Sequence, residues 1–211
     1  MPLDDRYAEK FLRNMQILRG SEINHCIDRL GRFRIQIFRE YPYLYDGSIE
    51  YERTYLGRYS MTPESLLIIL EDALGIVGAC TGIPLAGEDP EFQNAFVGEI
   101  KEEIYYIGEV MLRADSRGKK LGSRLMSTAL DLIDSNQFKK ISLCTVDRGL
   151  SHSREPLGYS PPDYLWKKYG FEKSKNFMAY LDWKDIGHDV ETRKPLNIWF
   201  RQHSKKMKSS L

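Results

Sequence analysis

Between Arg113 and Arg124 the chain sets five cationic side chains, Arg113, Arg117, Lys119, Lys120 and Arg124, against one acid, Asp115, around Gly118 and Gly122. This basic turn lies between an apolar run and a helical pattern. Amides at a helix N-terminus lack intrahelical acceptors, and the helix dipole favours negative charge there. Glycines let the backbone approach a phosphate closely. The chemistry implied is the binding of a phosphate-bearing ligand. A Walker loop is excluded because no Gly-Lys-Ser/Thr follows the glycines. A dinucleotide fingerprint is excluded because G-x-G-x-x-G is absent. Just upstream, Glu109 stands as an isolated acid among apolar neighbours, which leaves it open to a functional or a structural pairing. Cys144, on a later apolar run, reads as a small buried hydrophobe rather than a nucleophile, since no histidine stands close in sequence. His25, His152, His188 and His203 have no metal-ligand spacing. His152 lies in an irregular loop at 148–161, where it could touch substrate.

Several elements must position that turn. Alternation predicts a first strand over 12–18, then a break at Gly20, with Ser21 as a helix N-cap. Apolar residues at Ile23, Cys26, Ile27, Leu30, Phe33, Ile37 and Phe38 keep helical spacing up to Pro42. A second helix is predicted over 49–59, with Tyr51, Tyr55 and Tyr59 on one face. Strands are predicted at 65–70 and 75–85, the first so continuously apolar that both its faces should be covered. A polar excursion at 86–103 holds six acids against Lys101; it reads equally as a field for a cationic acceptor or as a solvated loop. Further strands are predicted at 104–112 and 140–146, around a helix over 121–133. A short helix opens at Pro162 and ends at Gly170. Two last strands fall at 177–183 and 196–200, and an edge at the latter could support a homodimer. The class is α/β (α+β) around one central sheet.

The composition limits the function further. The chain has 211 residues, 31 Lys plus Arg, 30 Asp plus Glu and a formal net charge of +1. Such balance argues against a nucleic-acid binder and against a disordered polyelectrolyte. Cys26, Cys80 and Cys144 are odd in number and widely spaced, so neither a disulfide framework nor a cysteine metal site is expected. Residues 1–10 carry no apolar signal core, and no window approaches the roughly 20 apolar residues of a membrane helix. A cytoplasmic chain without a membrane partner is expected. A single domain over 1–203 should precede a frayed basic tail at 204–211. Tyrosine is abundant, with 13 residues, six of them between Tyr41 and Tyr59.

The segment Arg117-Gly118-Lys119-Lys120-Leu121-Gly122 resembles the acetyl-CoA motif Q/R-x-x-G-x-G/A of the GCN5-related N-acetyltransferase (GNAT) superfamily. Lys120 replaces the middle glycine. Tyr164-Leu165-Trp166-Lys167-Lys168-Tyr169-Gly170-Phe171 is similar to the family's late helix and Gly-Phe, and the element order agrees over most of 12–200. The resemblance implies a mixed, mostly antiparallel twisted sheet of about seven strands flanked by about four helices. It implies that acetyl-CoA, with no metal, lies in a splay between two parallel strands. Pantetheine would pair near Met111 and Leu112. Pyrophosphate would sit on Arg117, Gly118, Lys119, Lys120, Leu121, Gly122 and Ser123. An amine of a small molecule or peptide would attack the thioester directly. An alkylammonium has a pKa of about 10 and must lose a proton; Glu109 takes the place of the family's frequent glutamate and would accept it. The family's usual leaving-group acid, a tyrosine, is replaced by Trp166, with Tyr159 and Tyr164 nearby. The resemblance also implies that the Tyr41–Tyr59 region walls the acceptor site. The departures at Lys120 and Trp166 leave a second function class open, a non-catalytic acyl-CoA sensor.

Overall fold

A computed structural model describes residues 14–149 and 152–203. The start at 1–13 and the basic tail at 204–211 lie outside the described residues. Among the described residues, seven strands, β1 (Met15–Arg19), β2 (Leu66–Asp72), β3 (Gly75–Pro84), β4 (Ile104–Leu112), β5 (Lys140–Val146), β6 (Glu172–Lys184) and β7 (Glu191–Gln202), form one mixed sheet. Their order is β1-β2-β3-β4-β5-β7-β6. Every neighbouring pair is antiparallel except β4 and β5. The α-helices are α1 (Ile27–Phe38), α2 (Ile49–Met61), the single turn α3 (Pro90–Gln93), α4 (Leu121–Leu132) and α5 (Asp163–Lys168).

The sheet is covered on both faces, which is why β2 and β3 are almost unbroken apolar runs. Leu67, Ile69, Ala79 and Ile83 pack with Leu30, Phe33, Ile37, Leu56 and Tyr59 from α1 and α2. Leu66, Ile68, Val77 and Cys80 pack instead with Leu121, Leu125, Met126 and Ala129 of α4. Ser48 caps α2 by accepting from the amide of Tyr51 at 3.2 Å. Among the described residues no helix is long and apolar enough to cross a membrane.

Two expectations are corrected. Ser21 is not a helix cap: it lies inside a 3-10 stretch, Gly20–Cys26, whose entry is closed by the Arg19 amide donating to Glu22. Residues 196–200 are not an edge, because β7 pairs with β5 on one side and β6 on the other. The edges are β1 and β6. Both late strands are also longer than predicted, because their ends alternate with solvent and carry Lys, Arg and Glu rather than apolar side chains.

Candidate active site

The central feature is a splay between the two parallel strands. β4 and β5 pair only from Ile104↔Lys140 to Ile107↔Leu143. Beyond that, β5 follows β7, with Cys144 opposite Ile198 and Val146 opposite Leu196. β4 follows β3, with Glu109 opposite Thr81 and Leu112 opposite Gly78. The register shifts between Thr81 and Gly82, leaving Gly108 as an extra residue in β4. Such a bulge bends and twists its strand. A Cβ on Gly108 would clash with the Tyr59 hydroxyl, so a larger residue does not fit this bulge without displacing that hydroxyl. The opened sheet holds a cleft of about 1300 Å³.

The basic turn forms one rim of the cleft. Glu109, Met111, Leu112, Arg117, Gly118, Lys120, Leu121, Gly122 and Ser123 all line it, and Lys119 does not. Gly118 has φ +73° and Lys120, the N-cap of α4, has φ +61°. Lys120 thus keeps the left-handed backbone that glycine adopts freely, at a steric cost of about 1–2 kcal/mol. The five cations of the turn have separate partners and places. Arg113 pairs with Asp72 at 2.6 Å and Asp115 at 2.8 Å. Lys119 Nζ donates to the Asp115 carbonyl at 2.7 Å. Arg124 is exposed. Arg117 donates to the Leu112 carbonyl at 3.1 and 3.2 Å and pairs across the cleft with Glu40 at 2.7 Å. Tyr169 donates to the Ser123 carbonyl at 2.6 Å, tying α5 to the start of α4.

Glu109 is 8% exposed and enclosed by polar groups. Arg34 of α1 pairs with its Oε1, and the Thr81 hydroxyl donates to Oε2. Tyr55 of α2 donates to Oε1 at 2.9 Å. Arg34 also pairs with buried Glu52 at 2.5 Å and lies over the Tyr55 ring at 4.2 Å. Helical periodicity did not reveal this cluster. Arg34 falls one turn after Leu30 and Glu52 one turn before Leu56, so both lie on the buried faces of α1 and α2. That spacing was the available signal.

Tyr41 and Tyr43 line the cleft, whereas Tyr45 does not. Tyr41 donates to Glu155 at 3.2 Å and meets the Tyr159 ring edge-on at 4.7 Å, with His152 at 5.7 Å. All four side chains line the cleft. Burial and the Glu155 carboxylate push the Tyr41 hydroxyl up, and burial takes Tyr159 to about 12. The loop carrying Tyr41 and Tyr43 is held by Arg148, which donates to the Pro42 carbonyl at 2.5 Å and pairs with Asp185 at 2.9 Å. None of residues 86–103 lines the cleft. Glu88 is instead buried, and Glu99 pairs with Lys140. Trp166 lines the cleft and is buried, with its Nε1 lacking a hydrogen-bond partner among the described residues. Cys144 also lines the cleft, and burial pushes its thiol up to about 12.

A mixed sheet splayed at its parallel pair, with a helix opening on a glycine turn at the splay, defines an α/β fold with room for a phosphate-bearing ligand between its strands. The model of the acetyltransferase (GNAT) family matches residues 33–154, and the chain belongs to that family. It is a GNAT-type acetyltransferase, of a family that uses acetyl-CoA. The fold is similar to ribosomal-protein-alanine N-acetyltransferase from Brucella melitensis, at 12% identity and a TM-score of 0.57, covering 89% of this chain and 99% of that one. It is similar to a GCN5-related N-acetyltransferase from Kribbella flavida, at 16% identity and a TM-score of 0.52, covering 90% and 99%. It is also similar to an aminoglycoside 6'-N-acetyltransferase complexed with coenzyme A, at 15% identity and a TM-score of 0.55, covering 90% and 98%. No curated protein matches the sequence.

Proposed function

We propose that this chain, as a single domain over 1–203 in a reducing cytoplasm, transfers an acetyl group from acetyl-CoA to a primary amine by direct attack. The observation that carries this reading is the cleft itself. Glu109 stands on its wall beside the β4–β5 splay, and the turn at 117–123 forms its rim. Pantetheine would run along Met111 and Leu112. Pyrophosphate would lie on Arg117, Gly118, Lys120, Leu121, Gly122 and Ser123, with Lys119 adding charge from outside the cleft. The ammonium would give its proton to Glu109, and the freed electron pair would attack the thioester carbonyl. The adduct's nitrogen then loses its second proton to solvent as the bond to sulfur breaks. A thiol pKa of about 8.5 makes thiolate a tolerable leaving group that solvent can protonate, so Trp166 need not act as an acid. Cys144 supports direct transfer: with its thiol held near 12, it carries almost no thiolate at neutral pH. The aromatic wall of Tyr41, Tyr159 and His152 beside Glu155 suits an amine that carries a cation.

The test is amine-dependent release of thiol from acetyl-CoA with tyramine, spermidine and lysine amide, alongside calorimetric titration of acetyl-CoA. No binding at millimolar acetyl-CoA would remove the reading. Glu109→Gln is expected to lower kcat by about 10²-fold or more, the range of general base catalysis, and to leave acetyl-CoA affinity within twofold. A second reading, an acyl-CoA sensor without turnover, draws on the enclosure of Glu109 by Arg34, Thr81 and Tyr55, which also suits a structural carboxylate. Binding without thiol release across the panel would establish it.

A further inference from the structure

Burial gives Glu109 a second task besides accepting a proton. At 8% exposure it must also be relieved of that proton before the next turnover. A hydrogen-bonded chain leads away from it. Tyr55 Oη donates to Glu109 Oε1 at 2.9 Å. The Tyr55 and Tyr59 hydroxyls are 3.2 Å apart. Tyr59 Oη donates to Glu88 Oε1 at 3.3 Å. Glu88 Oε2 accepts from Arg58 at 2.8 Å and from the Asp89 amide at 3.1 Å. The side chains of Arg58 and Asp89 are 27% and 52% exposed, so the chain ends at the surface. Tyr55 and Tyr59 share a face of α2 by their spacing of four. The Tyr59 hydroxyl fits beside Gly108, where the bulge has no side chain.

We propose that Tyr55, Tyr59 and Glu88 form a proton relay that carries the acceptor's proton from Glu109 to the protein surface. The relay rests on the reading of Glu109 as the proton acceptor. It acts through that residue, and none of its three members lines the cleft. One proton enters as the amine N–H bond breaks and a Glu109 O–H bond forms. Protonation of Glu109 turns the Tyr55 hydroxyl from Glu109 toward Tyr59. Glu109 then passes its proton to the Tyr55 oxygen while Tyr55 gives its own to Tyr59. Tyr59 in turn gives its proton to Glu88, and Glu88 releases one to water beside Arg58 and Asp89. Each phenol gains and loses one proton, and nothing is oxidised or reduced. Rotation of the two hydroxyls resets the chain.

The electrostatics support this direction. The cluster holds three buried carboxylates, Glu52, Glu88 and Glu109, and two guanidiniums, Arg34 and Arg58, with the half-exposed Asp89 a further carboxylate 3.8 Å from Arg58. Negative charge is in excess there, so an added proton is accommodated. Burial holds the Glu88 carboxyl above the ordinary carboxylate range, against the opposing pull of Arg58. Burial also pushes the Tyr55 and Tyr59 hydroxyls well up. The phenols therefore pass protons by exchange and never stand as phenolates. Arg34 and Thr81 face Glu109 from α1 and β3 and have no place in the chain.

The experiment compares the full chain with Tyr59→Phe and Glu88→Gln, at saturating acetyl-CoA. The probes are hydroxylamine, largely unprotonated at neutral pH, and the fastest of tyramine, spermidine and lysine amide, which are ammonium ions there. With the ammonium probe, kcat is expected to fall about 10–100-fold in both variants. The KM for acetyl-CoA should stay within twofold, the solvent deuterium isotope effect should rise, and the pH–rate profile should move to higher pH. With hydroxylamine both variants should stay within threefold of the parent. Equal losses with both probes would mark a packing defect and overturn the relay, as would an unchanged kcat with the ammonium probe. If Glu109→Gln matches the parent, the reading of Glu109 fails first and takes the relay with it. Failure of the relay alone shows as a damaged Glu109→Gln beside an intact Tyr59→Phe and Glu88→Gln.

Discussion

Lys120 combines two properties that can be separated by substitution. Its backbone is left-handed at φ +61°, and the residue lines the cleft with a cationic side chain. Lys120→Ala removes the charge and keeps the steric cost, whereas Lys120→Gly removes both. The glycine variant is expected to be more stable than the alanine variant by about 1 kcal/mol, read from urea unfolding. Both should bind acetyl-CoA more weakly than the parent, and their affinity should depend less on salt. Equal stabilities would mean that the turn relaxes away from the left-handed shape. Neighbouring Gly122 tests close approach directly. A Cβ there would meet Leu112 and Leu165 at ordinary contact distances of 3.4 and 3.8 Å. Gly122→Ala should therefore fold normally and keep acetyl-CoA affinity within about threefold, as the Gly/Ala of the motif implies, whereas the bulkier Gly122→Val should weaken binding by tenfold or more, as judged by calorimetry. The motif at 117–122 was legible because it lies in one stretch of chain. The partners of Glu109 were not, because Arg34, Tyr55 and Thr81 come from three other elements. Spacing assigns a residue to a face, and only the packing of α1 and α2 on β4 selects which carboxylate that face meets.

Among the elements, β4 and β5 match the predicted ranges 104–112 and 140–146 at both ends. Both are apolar runs bounded by polar residues, so local pattern and tertiary burial agree. The bulge inside β4 was hidden, since one glycine in a strand pattern also suits a plain strand. Gly108→Ala is expected to cost about 1–3 kcal/mol, because the new methyl displaces the Tyr59 hydroxyl or pushes the strand outward. The same variant should lower kcat more than acetyl-CoA affinity. The turn after β4 is braced by Arg113, which draws the Asp72 and Asp115 carboxyls below their ordinary value of 3.8 through hydrogen bonds to each. Carboxyls depressed in the folded state stabilise it above their unfolded value, and that contribution is lost as pH falls through the lower folded value. Asp72→Asn should accordingly lower the melting temperature at pH 7 and narrow the difference from the parent below about pH 3.5. A gap that widens in acid would contradict the pairing.

For the whole molecule, element order carried the most information. The succession of strands and helices was enough to expect one central sheet with flanking helices, while the mixed sheet with a splayed parallel pair came from the resemblance carried by 117–122 and the late Gly-Phe. The flanking late strands were less legible, because β6 and β7 carry charged, solvent-facing residues along much of their length. The splay also divides the sheet mechanically. β1–β4 and β5–β7 are joined by the register from Ile104 to Ile107 against Lys140 to Leu143, and past that point their backbones face the cleft rather than each other. A ligand seated there bridges the two halves, so its binding energy should appear as protection at the splay. Saturating acetyl-CoA at about a hundredfold over its Kd stabilises the folded state by about 2.7 kcal/mol. For a chain of this size that corresponds to a rise in melting temperature of about 5–10 °C. Hydrogen exchange should slow at 108–112, 117–123 and 144–146, and stay unchanged in β1 and β2, which already pair along their length. Protection spread evenly over the sheet would point to general tightening. Protection confined to 117–123 would place the phosphates on the turn without the pantetheine between the strands, and direct transfer past Glu109 would then lack its geometry.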